Sequence, residues 1–251
     1  MSAANYSKHA ATWDSFSGDR SDEVDCWARL AASYGSVVLA AMAATAEVAA
    51  DLAQRGFRVL AADVAPEMIA EAKRKRGHLE NLTLVLADVR SLDLDRRDFD
   101  FTFIGTASFH HLLTASDREA ALRSIRDHLR PGGGLGLELW CPSAESWATS
   151  WKVFEPVDTP AGASGRVFKR GKTEYDASSR IISISQEVFV EGPGGSERFT
   201  HSFSLQLLDR GALYCTLSGA GFRVEAEYGL HDLTPPTPES SHWIIEAVRE
   251  G

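Results

Sequence analysis

The sequence predicts a doubly wound α/β fold, with a mostly parallel sheet and an inserted antiparallel β meander. As far as Trp140, short apolar runs alternate with helical segments, which is the spacing of βαβ units. Three runs of alternating polar and apolar residues come later, and Gly-Pro-Gly-Gly at 192–195 marks a turn between the last two. A chain of 251 residues is long enough for one core domain with such an insertion.

The parallel part of the sheet is predicted from five short apolar runs. They cover residues 36–40, 57–63, 82–88, 99–105 and 134–140. The helices predicted around these strands cover residues 22–34, 45–54, 65–76 and 115–133. Ligands bind such sheets at the carboxyl ends of the strands, and Asp63 and Asp88 end two strands on that edge.

The C-terminal part is predicted to combine the meander with the closing elements of the core. Its strands cover 166–176, 180–192 and 196–208, a helix follows over 209–222, and two strands over 222–230 and 241–250 close the sheet. We therefore expect four regions along the chain. They are an N-terminal helical lid (1–35), a Rossmann-like core (36–140), an irregular lid with the β insertion (141–207), and a closing helix with two strands (208–251).

Composition excludes several classes of function. Lysine and arginine total 26 against 35 acidic residues, and the net charge of -9 argues against binding to nucleic acid or an anionic membrane. The spacing of the three cysteines suits neither a metal nor paired disulfides, and no apolar run reaches transmembrane length. We expect a cytoplasmic protein that acts on a small molecule without a metal. Its oligomeric state is left open, a homodimer included.

Several segments together resemble the class I S-adenosylmethionine-dependent methyltransferases, in particular the small-molecule members with a β insertion after the fifth strand. The segments are NYSKHAATWD (5–14), FRVLAADVAPEMIAEAKRK (57–75), LADVRSLDL (86–94), FHHLL (109–113), LRPGGGLGLEL (129–139) and LSGAGFRVEAEYG (217–229). The resemblance covers nearly the whole chain. It implies the fold of that family, S-adenosylmethionine as cofactor, and a small-molecule acceptor of specialised metabolism.

The chain departs from the family at the loop after the first strand, where members usually carry an acid and three alternating glycines. Ala40 stands in the acid position, and Met42, Ala44 and Ala46 stand in the glycine positions. A side chain in a left-handed conformation costs about 1 kcal/mol, and the Met42 side chain would point toward the ligand's usual path. Because alanine favours helix, we hypothesise that the helix begins before Thr45 and that Met42 reduces the cofactor cavity.

The rest of the family's cofactor edge is retained. The resemblance implies that Asp63 binds the ribose hydroxyls, that Asp88 accepts from the adenine amino group, and that Met68 and Val89 flank the ring. The remaining members of the predicted cofactor site are Val64, Gly105, Ala40, Met42 and Ala44. The alternative for both acids is that they cap the helices that follow them.

Catalytic and substrate-binding residues are predicted at the same edge. His110 and His111 follow the fourth strand and are candidate general bases, the alternative being that they pack or cap a helix. Three aromatic residues are predicted to bind an apolar or cationic substrate, namely Tyr6, Trp13 and Trp140. Trp147 and Trp151 are expected to form the core of the lid instead.

Three functions are compatible with these residues. The chain is a small-molecule methyltransferase with an atypical loop, an enzyme of the same fold that catalyses a non-methylating reaction such as a cyclisation or elimination, or a catalytically silent binding partner. The retained ligand edge favours the methyltransferase, whereas the altered loop favours the other two. Fold alone does not decide among them.

Overall fold

The computed structural model describes residues 9–141, 152–153, 157–158, 165–193 and 195–251. The helices are α1 (His9–Thr12), α2 (Ser21–Tyr34), α3 (Glu47–Gln54), α4 (Pro66–Arg76), α5 (Ala115–His128) and α6 (Arg210–Gly219). The strands are β1 (Val37–Ala41), β2 (Arg58–Asp63), β3 (Leu82–Leu86), β4 (Phe99–Ile104), β5 (Leu129–Trp140), β6 (Lys152–Val153), β7 (Val157–Asp158), β8 (Arg166–Asp176), β9 (Ile181–Gly192), β10 (Gly195–Gln206), β11 (Phe222–Tyr228) and β12 (His242–Arg249). Short 3-10 turns cover Trp13–Phe16, Val89–Ser91 and Ser108–His111.

The main sheet has seven strands in the order β11-β12-β5-β4-β1-β2-β3. Strands β1 to β5 run parallel, and β12 and β11 add antiparallel pairs at one side. A second, antiparallel sheet has the order β10-β9-β8-β6, with β7 also paired to β8. The predicted fold class, a mostly parallel doubly wound sheet with an antiparallel insertion, is confirmed.

Helices cover both faces of the main sheet because its central strands are largely apolar. All five residues of β1 are buried. Helices α2 and α3 lie on one face and α5 and α6 on the other. The contact of α2 is close, since a Cβ added at Gly136 of β5 would lie 2.4 Å from Cζ3 of Trp27. Glycine at this position therefore lets a large aromatic side chain of α2 rest directly on the sheet.

Helix α5 ends at His128, five residues before the predicted end at 133. Pro131 lacks an amide hydrogen and disfavours helical conformation at Arg130. Arg130 is also held on the sheet side by its guanidinium, which donates to Asp100 Oδ1 at 2.8 Å and to the Tyr34 carbonyl at 2.7 Å. Strand β5 consequently begins directly after the helix.

The hypothesis that the helix after β1 begins before Thr45 is wrong. Helix α3 begins at Glu47, and Met42, Ala44 and Ala46 have φ values of 57°, 49° and 62°. Left-handed residues at every second position interrupt a right-handed helix. Helix propensity is overridden here by hydrogen bonds to β2, which are described below.

Within the described ranges, none of the helices is both long enough and apolar enough to cross a membrane.

Candidate active site

Three cavities lie side by side along the carboxyl edge of the main sheet, and Trp13 lines all of them. The loop cavity, of about 50 Å³, lies between residues 40–49 and the start of α2. The β2 cavity, of about 70 Å³, lies over the end of β2. The outer cavity, of about 500 Å³, extends from the end of β5 to the second sheet. The outer cavity has the size of a small-molecule site, whereas the other two are narrow.

The loop after β1 keeps a fixed shape without glycine because its backbone is hydrogen-bonded. The amide of Ala43 donates to the Ala62 carbonyl at 3.0 Å, and the amide of Ala44 donates to Asp63 Oδ2 at 2.8 Å. The amide of Ala46 donates to the Ala43 carbonyl at 2.7 Å and closes the turn. The three left-handed residues each cost about 1 kcal/mol, which these bonds and the packing of the sheet offset.

Met42 stands between two of the cavities. Its side chain is partly buried against the core, and the residue lines both the loop cavity and the β2 cavity, as Ala44 does. Ala40, in contrast, lines only the loop cavity and brings no charge there. The position that holds an acid in the family is therefore apolar in this chain.

Asp63 connects the loop to the β2 cavity. Its two carboxylate oxygens accept from the amides of Ala44 and Ala65, at 2.8 and 2.9 Å. Burial raises the pKa of Asp63, although these backbone amides oppose the shift. Each oxygen keeps a further lone pair, so the carboxylate can still accept from a ligand in the cavity that it lines.

The other residues predicted to bind the cofactor line either the β2 cavity or the loop cavity, with the exception of Asp88. Val64, Met68 and Val89 line the β2 cavity, and Gly105 lines the loop cavity. Asp88 is not among the residues that line the three cavities. It caps the turn that follows it, and Arg90 Nη2 lies 2.6 Å from its Oδ2, which lowers the pKa of Asp88. This placement favours the alternative that Asp88 caps the turn that follows it and does not bind adenine.

The two adjacent histidines have different environments. His110 is buried, its Nδ1 lies 2.6 Å from the Gln206 carbonyl, and its Nε2 accepts from the Trp140 amide at 2.9 Å. With both ring nitrogens engaged, His110 fastens β5 to β10 and has no nitrogen left for proton transfer. These contacts favour the alternative that His110 packs in the core and does not act as a base.

His111 lines the β2 cavity, where its ring lies 5.4 Å from that of Phe203. Burial, together with smaller contributions from the neighbouring His110 and His201, lowers the pKa of His111 to about 4. The imidazole is neutral at pH 7 but is a weak base. It lies on the side of Asp63, not in the outer cavity.

The predicted substrate-binding residues Trp13 and Trp140 both line the outer cavity. Tyr6 lies outside the described residues, as do Trp147 and Trp151. The insertion contributes Lys169, Gln186 and Phe203 to the outer cavity, so the second sheet forms one of its walls.

The outer cavity also contains a carboxylate with two histidines that the sequence did not single out. Glu138 is buried near the end of β5, and its Oε1 accepts from His242 Nδ1 at 2.9 Å. His231 Nε2 lies 3.3 Å from the same oxygen, and Oε2 accepts from the Thr106 amide at 2.6 Å. Burial alone would raise the pKa of Glu138, but these donors lower it to about 2.

The Glu138–His242 pair has the arrangement of a carboxylate that orients a catalytic imidazole. When Nδ1 donates to the carboxylate, Nε2 is the nitrogen of a neutral His242 ring that can accept a proton. The only sequence signal was an isolated acid in the apolar strand GLGLELW. Its partner is 104 residues away, which no local pattern reveals.

A second group that the sequence did not single out lies at the loop cavity. Arg20 donates to Glu23 through Nε at 2.9 Å and also contacts Thr106. Arg20 Nη1 lies 3.8 Å from Glu47 Oε2, and Ser17 Oγ donates to the same oxygen at 2.5 Å. Burial raises the pKa of Glu47, while Ser17 and Arg20 oppose that shift.

A metal has no apparent place among these residues. Within the part of the chain that the structure describes, no group of three or more histidine, cysteine, aspartate or glutamate side chains is placed to hold an ion.

The known proteins that this chain resembles are methyltransferases. Residues 38–133 match a family model described as a methyltransferase domain. The chain is 28% identical over 119 residues to a demethylmenaquinone methyltransferase from Staphylococcus saprophyticus, over 47% of this chain and 48% of that one. It therefore spans about half the length of that relative. It is 26% identical over 164 residues to a dTDP-3-amino-3,4,6-trideoxy-alpha-D-glucopyranose N,N-dimethyltransferase from Streptomyces venezuelae, over 65% of each chain.

Solved structures extend the likeness to the whole chain. An S-adenosylmethionine-dependent methyltransferase from Clostridium acetobutylicum superposes with a TM-score of 0.83 at 15% identity, over 98% of this chain and 99% of that one. A sugar N-methyltransferase from Streptoalloteichus has a TM-score of 0.79 at 19% identity, over 97% and 93% of the two chains. The resemblance to the class I S-adenosylmethionine-dependent methyltransferases is thereby confirmed: the chain has their fold, and residues 38–133 match the model of a methyltransferase domain.

Proposed function

We propose that the protein transfers a methyl group from S-adenosylmethionine to a small-molecule acceptor of specialised metabolism. One observation carries this proposal. The loop after β1 has left-handed φ at all three positions where the family uses glycine, and it is hydrogen-bonded to Asp63. The loop therefore keeps, with methionine and alanine, the backbone conformation for which the family uses glycine. The retained shape therefore supports a working cofactor site.

The residues that would hold the cofactor line two adjoining cavities. Asp63 would accept from the ribose hydroxyls, and Met68 and Val89 would contact the adenine ring in the β2 cavity. The amino-acid end would enter the loop cavity, where Gly105 lines the wall without a side chain. When bound, S-adenosylmethionine supplies an electrophilic methyl group on a sulfonium sulfur. The chain supplies alignment, which is the main requirement of methyl transfer.

We assign the acceptor to the outer cavity, which joins the cofactor side at Trp13. Its wall combines aromatic rings with acidic and basic side chains, so a polar acceptor with a nucleophilic amine or hydroxyl is suited to it. His242 Nε2, oriented by Glu138, would accept the proton that such a group loses. Since two of the similar proteins are named for methyl transfer to sugar amines, we propose an amine acceptor.

Calorimetric titration with S-adenosylmethionine and S-adenosylhomocysteine tests the cofactor part of the proposal. We expect saturable heat with both ligands and a rise of the melting temperature. Absence of heat and of a thermal shift at millimolar ligand would refute the methyltransferase function and leave the non-methylating enzyme or the silent partner. A panel of amino sugars and simple amines, assayed for formation of S-adenosylhomocysteine, then tests the acceptor.

A further inference from the structure

The loop cavity is charged although Ala40 is not. In the part of the chain that the structure describes, its charged lining residues are Arg20, Glu23 and Glu47, with a net charge of -1. Ala40 lies on the floor of the same cavity, paired in register with Phe103 of β4. An apolar floor and charged walls suit a ligand end that carries its own charges.

Glu23 reaches the end of β4 from helix α2. A Cβ added at Gly105 would lie 2.6 Å from Glu23 Oε1, so the carboxylate occupies the space directly beside that glycine. The same oxygen accepts from Trp27 Nε1 at 3.3 Å and lies 3.4 Å from Thr106 Oγ1, both long contacts. The carboxylate is thus held in place from α2 and retains accepting capacity toward the cavity.

Glu47 reaches the cavity from the other side, as the first residue of α3. Its hydrogen bond comes from Ser17, while the guanidinium groups of Arg20 and Arg76 stay 3.8 and 3.7 Å away. A half-buried carboxylate whose two ion pairs are both long can be stabilised by a closer cation. An ammonium group in the loop cavity would be such a cation.

We infer that Glu23 and Glu47 together replace the acid missing at position 40 and bind the α-ammonium of the cofactor's amino-acid end, with Arg20 facing its carboxylate. This inference rests on the proposed function. A residue alignment does not reveal the replacement, because the two acids come from α2 and α3 and not from β1. The site accepts a zwitterion, and it selects against adenosine derivatives that lack the amino acid.

A pair of ligands tests this inference separately from the proposed function. S-adenosylhomocysteine carries the amino-acid end, and 5′-methylthioadenosine shares its adenosine but lacks that end. Both are titrated into the wild-type protein, into the Glu23→Gln and Glu47→Gln variants, and into Asp51→Asn. Asp51 is an exposed acid of α3 and is the matched control for the loss of one negative charge. Melting temperatures verify that each variant is folded.

We expect each glutamine variant to bind S-adenosylhomocysteine about tenfold or more weakly, with affinity for 5′-methylthioadenosine unchanged within twofold and Asp51→Asn like wild type. Equal losses for both ligands would show a merely structural role and overturn the inference. Unchanged affinity for S-adenosylhomocysteine in both variants would also overturn it, while leaving the proposed function intact. If the wild-type protein binds neither ligand, the proposed function fails first and the inference fails with it.

Discussion

The two cofactor-side cavities and the outer cavity are built in different ways. The loop and β2 cavities share a wall made by the stretch from β1 to the start of α4, and backbone hydrogen bonds fix the shape of that wall. The outer cavity joins side chains from distant parts of the chain, such as Trp13, Glu138 and His242. A shape held by the backbone survives replacement of glycine by alanine, whereas an arrangement held by side chains depends on each of them.

The largest expected effect is in the outer cavity. His242→Gln should lower kcat by about 100-fold or more, because an oriented general base contributes that much. Affinity for S-adenosylhomocysteine should not change, since His242 does not line the loop or β2 cavities. Steady-state kinetics on an amine acceptor, together with calorimetry, measures both quantities.

His111→Gln is the matched comparison for His242→Gln. Its kcat should fall much less, because burial makes His111 a weak base on the cofactor side. A greater loss of kcat in His111→Gln than in His242→Gln would identify His111 as the general base, as the sequence predicted.

The next effect is a pH dependence of stability that comes from the same histidine. The pKa of His111 is lowered to about 4 in the folded protein, and an unfolded histidine titrates near 6.5. The unfolded state therefore binds this proton first, and stability is lost as the pH falls from 6.5 to 4. His111→Gln should remove about 3 kcal/mol of that loss.

Urea unfolding of the wild-type protein and His111→Gln at pH 7 and pH 4 measures this difference. His78 is exposed, so His78→Gln is the control and should follow the wild type. An identical acid loss in the wild type and His111→Gln would mean that the imidazole is not buried.

A smaller effect distinguishes the two strand-end acids. Asp63→Ala should lower the free energy of unfolding by about 2 kcal/mol, because the amides of Ala44 and Ala65 lose their acceptor. It should also weaken the binding of S-adenosylhomocysteine and of 5′-methylthioadenosine to the same extent. In this it differs from Glu23→Gln and Glu47→Gln, which should weaken only the binding of S-adenosylhomocysteine. Asp88→Ala should leave both affinities unchanged, since Arg90 holds that carboxylate. Ligand loss in Asp88→Ala would restore the predicted adenine contact.

The smallest effect concerns the alanines themselves. Ala44→Gly should raise the free energy of unfolding by about 1 kcal/mol, because a left-handed φ of 49° is strained for alanine and not for glycine. Ala43, next to it, is not left-handed, so Ala43→Gly should destabilise the protein through the unfolded state. If Ala44→Gly destabilises as much as Ala43→Gly, the loop is not strained.

The sequence predicted what depends on local pattern. The apolar and alternating runs located the strands of the main sheet and β8 to β10 of the second, and β8 begins and ends at the predicted residues, 166 and 176. Strands β6 and β7 fall in the segment that was predicted to be irregular. The start of α3 was missed because alanine favours helix, and the hydrogen bonds from β2 that prevent it connect residues about 20 positions apart. Helix propensity is a weak term beside such contacts.

In the outer cavity, Trp13 and Trp140 were predicted but Glu138 and His242 were missed, for the same reason. On the cofactor side, Asp63 ends β2 and Met68 lies in the first turn of the next helix, so the position of the strand placed them. His110 and His111 are adjacent in sequence, and only the contacts with Gln206 and Trp140 distinguish them. Glu138 meets His242 only through the pairing of β5 with β12.

The central claim is that the alanine loop is a working cofactor site, and a crystal structure with S-adenosylhomocysteine tests it most directly. We predict the adenine ring in the β2 cavity, ribose oxygens within hydrogen-bonding distance of Asp63, and the amino-acid end beside Glu23 and Glu47. Met42, Ala44 and Ala46 should keep positive φ. A ligand bound elsewhere, or a loop that must move into another conformation to admit it, would contradict the claim.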